Sequence, residues 1–213
     1  MKSKVPALIF FFLLVATLSC KKKDSENPMV MLHGNALMTI LLNSSFTDPG
    51  AEAYDNNDGE LQVETEGTVD TNFAGTYNIV YSAYDAAGNS GQAVRTVIVR
   101  NEAEIYNGSY DGACYTSADT TAYIASVVVS NILNKRIWIA GFALYPNASV
   151  FADISSDSVF FPSQVSLAGT PAIVHKFGGT GLIKTVNDTT VFEINYTDSV
   201  SGLVSTGIMV YKK

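Results

Sequence analysis

The densest run of oxygen ligands in this 213-residue sequence is Asp55-Asn56-Asn57-Asp58-Gly59-Glu60. Calcium takes about six to eight oxygens from carboxylates, amides and carbonyls, so Asp55, Asp58 and Glu60 are the candidate ligands for a calcium ion. The EF-hand spacing is not met, because the sixth position counted from Asp55 is Glu60 rather than glycine. A tight turn alone also accounts for Asp58-Gly59. Trp138, with Tyr106 and Tyr110, offers aromatic faces on which a sugar ring could stack. Strand alternation puts Trp138 with Ala140, Phe142 and Leu144, a set that reads as packing. His33 and His175 are the only histidines. They are far apart, and the run Ile173-Val174-His175-Lys176-Phe177 makes His175 a half-exposed sheet residue. Cys114 reads as a small buried apolar side chain, with no base nearby to activate it. Gly178-Gly179-Thr180-Gly181 lacks the Gly-Lys-Ser/Thr of a phosphate loop. No pair of carboxylates is singled out for glycoside hydrolysis. The expectation is a protein that is not an enzyme, with calcium as the one cofactor the residues suggest.

The composition fits elements built for packing rather than for charge. Apolar residues make up 47% of the chain and charged ones 15%, which excludes disorder and a coiled coil. The net charge of −7 leaves no basic stripe to neutralise phosphates, so nucleic acid is not an expected partner. Two cysteines exclude a disulfide scaffold and a Cys-rich zinc site. From Met29 onward, short runs of β-branched and aromatic residues alternate with polar ones and are punctuated by Gly, Asn and Asp. The class expected is all-β.

The N-terminus carries an address. Lys2 and Lys4 precede an apolar run from Val5 to Leu18, too short to cross a bilayer as a helix but suited to an export signal. It ends in Thr17-Leu18-Ser19-Cys20, which resembles the lipobox of bacterial lipoproteins, with Thr17 where an aliphatic residue is usual. The resemblance implies a signal peptide over residues 1–19, lipidation of Cys20, and anchoring through acyl chains worth about 0.8 kcal/mol per buried methylene. Residues 20–28 then read as the lipidated Cys and a flexible polar tether. The style resembles lipoproteins of the Bacteroides group, which implies the outer membrane and favours surface over periplasmic exposure.

Residues 29–100 form the first domain. Gly75 to Tyr84 alternates cleanly, Asp85-Ala86-Ala87-Gly88-Asn89 supplies a turn, and Gln92 to Arg100 makes the return strand. Tyr77, two residues after Gly75, resembles the tyrosine corner of immunoglobulin-like sandwiches. The positions Asp48-Pro49-Gly50, Ala53, Asp55, Asp58-Gly59, Val69-Asp70, Ala74-Gly75-Thr76-Tyr77, Tyr81, Asp85, Gly88-Asn89 and Arg95 resemble the bacterial Ig-like domain also found in an insecticidal crystal toxin. The resemblance implies a seven-stranded-type β-sandwich that acts as spacer or recognition module.

Near Asn101 the pattern resets through a short polar joint, and residues 101–213 form a second domain. Eight strands are expected, beginning at Ile105–Tyr110 and ending at Leu203–Lys212, with turns at Asn134-Lys135, Pro146-Asn147, Asn187-Asp188 and Ser201-Gly202. Sequential strands with short turns predict an antiparallel β-barrel-like, lipocalin-like meander. Gly178, Gly179 and Gly181 would permit a sharp bend. This half resembles the C-terminal domain of a Bacteroides lipoprotein family of unknown function, and Phe161 to Gln164 is typical of lipocalin-like domains in such lipoproteins. The functional expectation is a binding module for glycan capture beside an outer-membrane importer. A structural or adhesive protein contact and a carrier of a small apolar molecule are the alternatives.

Overall fold

The computed structural model describes residues 24–213. The expected export signal and Cys20 lie outside these residues. Seven strands make the first unit: β1 (Met29–Leu32), β2 (Leu37–Leu41), β3 (Ala51–Asp55), β4 (Gly59–Leu61), β5 (Glu64–Glu66), β6 (Gly75–Tyr84) and β7 (Ser90–Arg100). They form a three-stranded sheet, β1-β3-β4, facing a four-stranded sheet, β2-β7-β6-β5, in which β2 runs parallel to β7. The inward residues Ile79, Tyr81 and Val97 pack against Val30, Leu32, Met38 and Ile40, as alternation along each strand requires. The Tyr77 hydroxyl donates to the Phe73 carbonyl at 2.8 Å, which is the tyrosine-corner bond.

Arg95, on β7, is fully buried in this small core. A guanidinium has five N–H donors and no way to discharge, so burial demands five acceptors. All five are present. Nε donates to the Asn35 carbonyl, Nη1 to the Asp48 carboxylate and the Tyr81 hydroxyl, and Nη2 to the His33 and Gly50 carbonyls. The Tyr81 hydroxyl in turn donates to Asp48 at 2.6 Å. Burial alone would raise the Asp48 carboxyl. Hydrogen bonds from Tyr81 and Gly50 and the Arg95 charge together outweigh it and hold Asp48 below its ordinary 3.8. Burial, and then the bond to Asp48, push Tyr81 up to about 12.

The second unit is a closed eight-stranded antiparallel barrel of β8 (Gly108–Tyr115), β9 (Thr120–Val129), β10 (Arg136–Phe142), β11 (Tyr145–Ser155), β12 (Ser158–Ala168), β13 (Ile173–Val186), β14 (Thr189–Val200) and β15 (Leu203–Lys212). Its interior is filled by side chains such as Phe142, Phe161, Phe177, Phe192, Ile137, Ile139, Tyr196 and Tyr211. The interior is apolar, unlike the polar lumen of a membrane-spanning barrel. A Cβ on Gly179 would meet the Asn195 carbonyl at 2.3 Å, so this glycine allows close approach of β13 to β14. Two expectations are corrected. The first barrel strand begins at Gly108, because Glu102–Tyr106 form a 3-10 turn. Pro146-Asn147 lie within β11, and the reversal falls at Ala143-Leu144, where Ala143 has φ 58.

The barrel has an unusual seam. Strands β11 and β12 pair by backbone only from Asp153–Ser155 to Ser158–Phe160. A bulge between Phe161 and Gln164 then shifts the β12 register against β13. Beyond it, side chains replace the ladder. Gln164 accepts from the Phe151 N–H at 2.8 Å and donates to the Phe151 carbonyl at 2.7 Å, a peptide mimic. The Ser166 hydroxyl accepts from Ser149 N–H, and Asn147 exchanges two bonds with the Gly169 backbone.

The two units meet through a pinned joint, not a loose linker. The Asn101 side chain donates to the carbonyls of Ser130 and Leu133 and accepts from the Ala103 and Lys135 N–H groups. Asn43 of the sandwich bonds the Ile132 carbonyl and the Asn134 N–H, and Ala74 N–H donates to the Asn131 carbonyl.

Two outcomes follow from these networks. Gln164→Ala leaves the Phe151 peptide groups unmatched and lowers barrel stability by about 1–3 kcal/mol in chemical denaturation, with Gln164→Glu, which keeps the acceptor, losing less. Arg95→Met strands the Asp48 and Tyr81 groups and costs the sandwich about 3 kcal/mol. The pH window follows from the two shifts. The depressed Asp48 contributes stability fully above about pH 4 and loses it as pH falls through its folded value. The raised Tyr81 contributes fully below about pH 10 and loses it as pH rises towards 12. Urea midpoints of the sandwich are therefore flattest between these limits and fall on both sides.

Candidate functional site

The hairpins of the barrel divide between its two ends. The loop 130–135 meets the sandwich, while residues 116–119, 143–144, 169–172 and 201–202 close the opposite, distal end. At that distal end lies a groove of about 670 Å³ lined by Tyr115, Tyr145, Tyr196 and Asp198, the hydroxyls of Thr116, Ser117, Ser205 and Thr206, and the apolar Leu144, Val204 and Ile208. Antiparallel pairing of β8 with β15 sets Tyr115 opposite Ile208 on one wall. The turn at Ala143-Leu144 brings Tyr145 to the other.

The floor of the groove is polar and locked. Asp198 and His175 are 4% and 2% exposed, and both Asp198 oxygens lie 2.9 Å from His175 Nδ1. This geometry suits the tautomer in which Nδ1–H donates to the carboxylate. The His175 ring stacks on Phe177, and the Tyr145 ring sits 4.4 Å from it. Burial, and then the Asp198 charge, raise Tyr145; burial and the Cys114 contact raise Tyr196 further. These phenols stay neutral, and the Tyr196 hydroxyl is already engaged with Cys114 Sγ. Cys114 packs beneath at 3.3 Å from the Tyr196 hydroxyl, and burial raises its thiol. That environment favours the neutral thiol, and Cys114's side-chain hydrogen-bond partner is Tyr196.

The residues singled out from sequence fall elsewhere. Tyr110 is 1% exposed and packs edge-on against Phe192, as does Tyr106. The Tyr110 hydroxyl donates to the Tyr106 carbonyl at 2.8 Å, so this pair plugs the barrel end near the sandwich instead of lining a mouth. His175 is buried, not half-exposed. Trp138 is outside, contrary to the packing expected of it. Ile137 and Ile139 point inward, Trp138 is 44% exposed, and a bulge between Ala140 and Phe142 returns Phe142 to the interior. On the outer wall Trp138 lies 5.5 Å from Phe151, whose ring sits under Arg136, itself bonded to Asp153 at 2.7 and 2.8 Å.

Among the acidic candidates, Asp55 is buried while Asp58 and Glu60 are exposed. Glu60 pairs with Tyr54 and shares its face, opposite to that of Asp55, and Asp58 accepts the Ala86 N–H at 2.8 Å. The three do not converge. Tyr145, Tyr196 and Asp198 carried no sequence signal as a set, because each looks like an ordinary alternating strand residue. A checkable consequence concerns Cys114: in the chain from Asp24 onward, a thiol reagent labels nothing under native conditions and one thiol after denaturation.

No curated protein matches the sequence significantly. Two solved structures align over most of it. The lipoprotein BT2262 from Bacteroides thetaiotaomicron is 18% identical, with 86% of this chain and 98% of that one covered at a TM-score of 0.35. The structure of CBM51-2 in complex with GlcNAc and INT domains from Clostridium perfringens ZmpB is 12% identical, with 88% of this chain but 44% of that one covered at a TM-score of 0.27. Both superpose loosely. The segment that folds as the sandwich gives the specific match: residues 30–99 fit the family model described as a bacterial surface protein, Ig-like domain.

Proposed function

We propose that the chain is a non-enzymatic binding module held at the bacterial surface, whose distal barrel mouth captures a glycan. The observation that carries this reading is the composition of the groove, three tyrosines beside a carboxylate and four hydroxyl side chains. A sugar ring offers an apolar C–H face and a rim of hydroxyls. Aromatic rings cover the first, and acceptors held in place, as Asp198 is by His175, take protons from the second. The net charge of −7 disfavours polyanions, so a neutral polysaccharide is the substrate class. The filled interior supports binding at the mouth over carriage inside the barrel.

Placement supports the same reading. Lipidation of Cys20 would anchor the outer-membrane end of the chain, the sandwich would act as spacer, and the groove lies at the barrel end opposite the sandwich. The family description of residues 30–99 as a surface domain agrees with exposure outside the cell. An outer-membrane glycan importer is the partner that would consume the captured chain. A second reading, protein contact by the outer wall, is favoured by Ile124, Val128 and Trp138, which are 73%, 53% and 44% exposed.

Affinity electrophoresis of the chain from Asp24 onward through a panel of neutral and acidic polysaccharides tests the proposal. Retardation is expected with one neutral class, weakened at least about fivefold by Tyr115→Ala or Tyr145→Ala and unaffected by Trp138→Ala. Mobility unchanged in every gel would sink the glycan reading, and retardation lost only in Trp138→Ala would move the site to the outer wall.

A further inference from the structure

A second site lies at the other end of the molecule. Asp24 precedes β1, Asp55 ends β3, and Asp85 opens the turn from β6 to β7. One carboxylate oxygen from each lies within 4.8 Å of the others. This is the end of the sandwich away from the barrel, since β6 starts beside the joint at Gly75 and finishes here. The three carboxylates are met only by neutral donors. Asp24 accepts from Glu26 N–H and the Asn57 amide, Asp85 from the N–H and amide of Asn89, and Asp55 Oδ1 from the N–H groups of Asn57 and Asp58. Among the described residues no ion pair involves any of the three.

Asp55 supplies an independent observation. It is 2% exposed, and its Oδ2 is buried with no hydrogen-bond partner. A buried carboxylate oxygen left unmatched beside two further carboxylates is unfavourable unless a cation completes it. We propose that Asp24, Asp55 and Asp85 hold a calcium ion that fastens the segment preceding β1 onto two turns of the sandwich. The chemistry is that of a hard cation, with oxygen ligands only. The spacing permits a shared ion, because two oxygens bound to one calcium at about 2.4 Å each stand no further apart than about 4.8 Å, and these three lie within that limit. Magnesium keeps several of its waters and is usually held by one or two carboxylates, so three carboxylates favour calcium. The Asn57 and Asn89 amides donate to Asp24 and Asp85 and hold those carboxylates in place, and water would complete the shell.

The segment is built to be held there. Pro28 is buried, and the approach of its carbonyl to β7 is so close that a Cβ on Gly91 would meet it at 1.9 Å. Asn56 also donates to Glu26 at 2.8 Å. If Cys20 is the anchor, the ion sets how the sandwich leaves the membrane, with Asp24 only four residues away.

The test uses the full-length protein in mild detergent, stripped with EDTA and titrated with calcium chloride by calorimetry and by thermal melting. One ion per chain is expected, with a dissociation constant in the range of about 10 µM to 1 mM and a rise of about 5 °C or more in the melting of the sandwich. Asp55→Asn removes the unmatched charge, so in EDTA it melts no lower than the parent and no longer responds to calcium. Asp24→Asn binds at least tenfold more weakly, and Glu60→Gln binds as the parent does. No heat and no shift at millimolar calcium would overturn the proposal, as would parent-like binding by Asp55→Asn and Asp24→Asn. An equal response to magnesium would overturn the assignment to calcium.

Discussion

Arg95 cannot be neutralised, and it sits where no water reaches it. Every piece of chain that supplies one of its acceptors is thereby fixed in place: the His33–Asn35 turn, the Asp48–Gly50 turn and Tyr81 on the neighbouring strand β6. Those two turns carry β1 into β2 and deliver β3, so a single guanidinium sets the spacing of the two sheets. A core as small as Ile79, Tyr81 and Val97 with their partly buried neighbours would otherwise leave the edge strands weakly held. The same bonds explain why Asp48, Gly50, Tyr81 and Arg95 belong together as sequence features. They are one hydrogen-bonded object.

The barrel is organised by the opposite logic. Its centre is mostly apolar, packed with aromatic rings in edge and tilted contacts, and the Tyr211 hydroxyl buried there bonds the Tyr123 hydroxyl and the Gly141 carbonyl. At the end near the sandwich, Tyr106 and Tyr110 close the interior, and the Asn101 side chain ties the chain that enters it to the loop at 130–135. At the distal end the packing stops one layer short. Tyr145, Tyr196 and the Asp198–His175 pair form a floor there, with open space above it. Closure leaves the sheet no free edge apart from the β11–β12 seam, where side chains replace the ladder.

Several details were legible in the residues. Tyr77 two positions after Gly75 announced the corner bond, and the turns at Asn187-Asp188 and Ser201-Gly202 lie where positive φ angles are observed. Trp138 shows where the reading failed. In Ile137-Trp138-Ile139-Ala140-Gly141-Phe142 both faces are apolar, so alternation cannot choose the inward one, and the bulge before Phe142 changes the parity partway along. Glu60 illustrates the converse. It lies in the acidic run, yet strand pairing turns it to the face opposite Asp55.

The sequence by itself determined the class, the order of the two domains and most strand positions, because period-two patterning and turn chemistry act over a few residues. The tertiary structure alone decided which residues meet. Asp24, Asp55 and Asp85 come from three separate segments, as do Tyr115, Tyr145 and Asp198, and their distances are set by register and closure across tens of residues. No local propensity encodes that separation. It emerges only when Arg95 fixes the sheets of the sandwich and the eighth strand pairs back onto the first of the barrel.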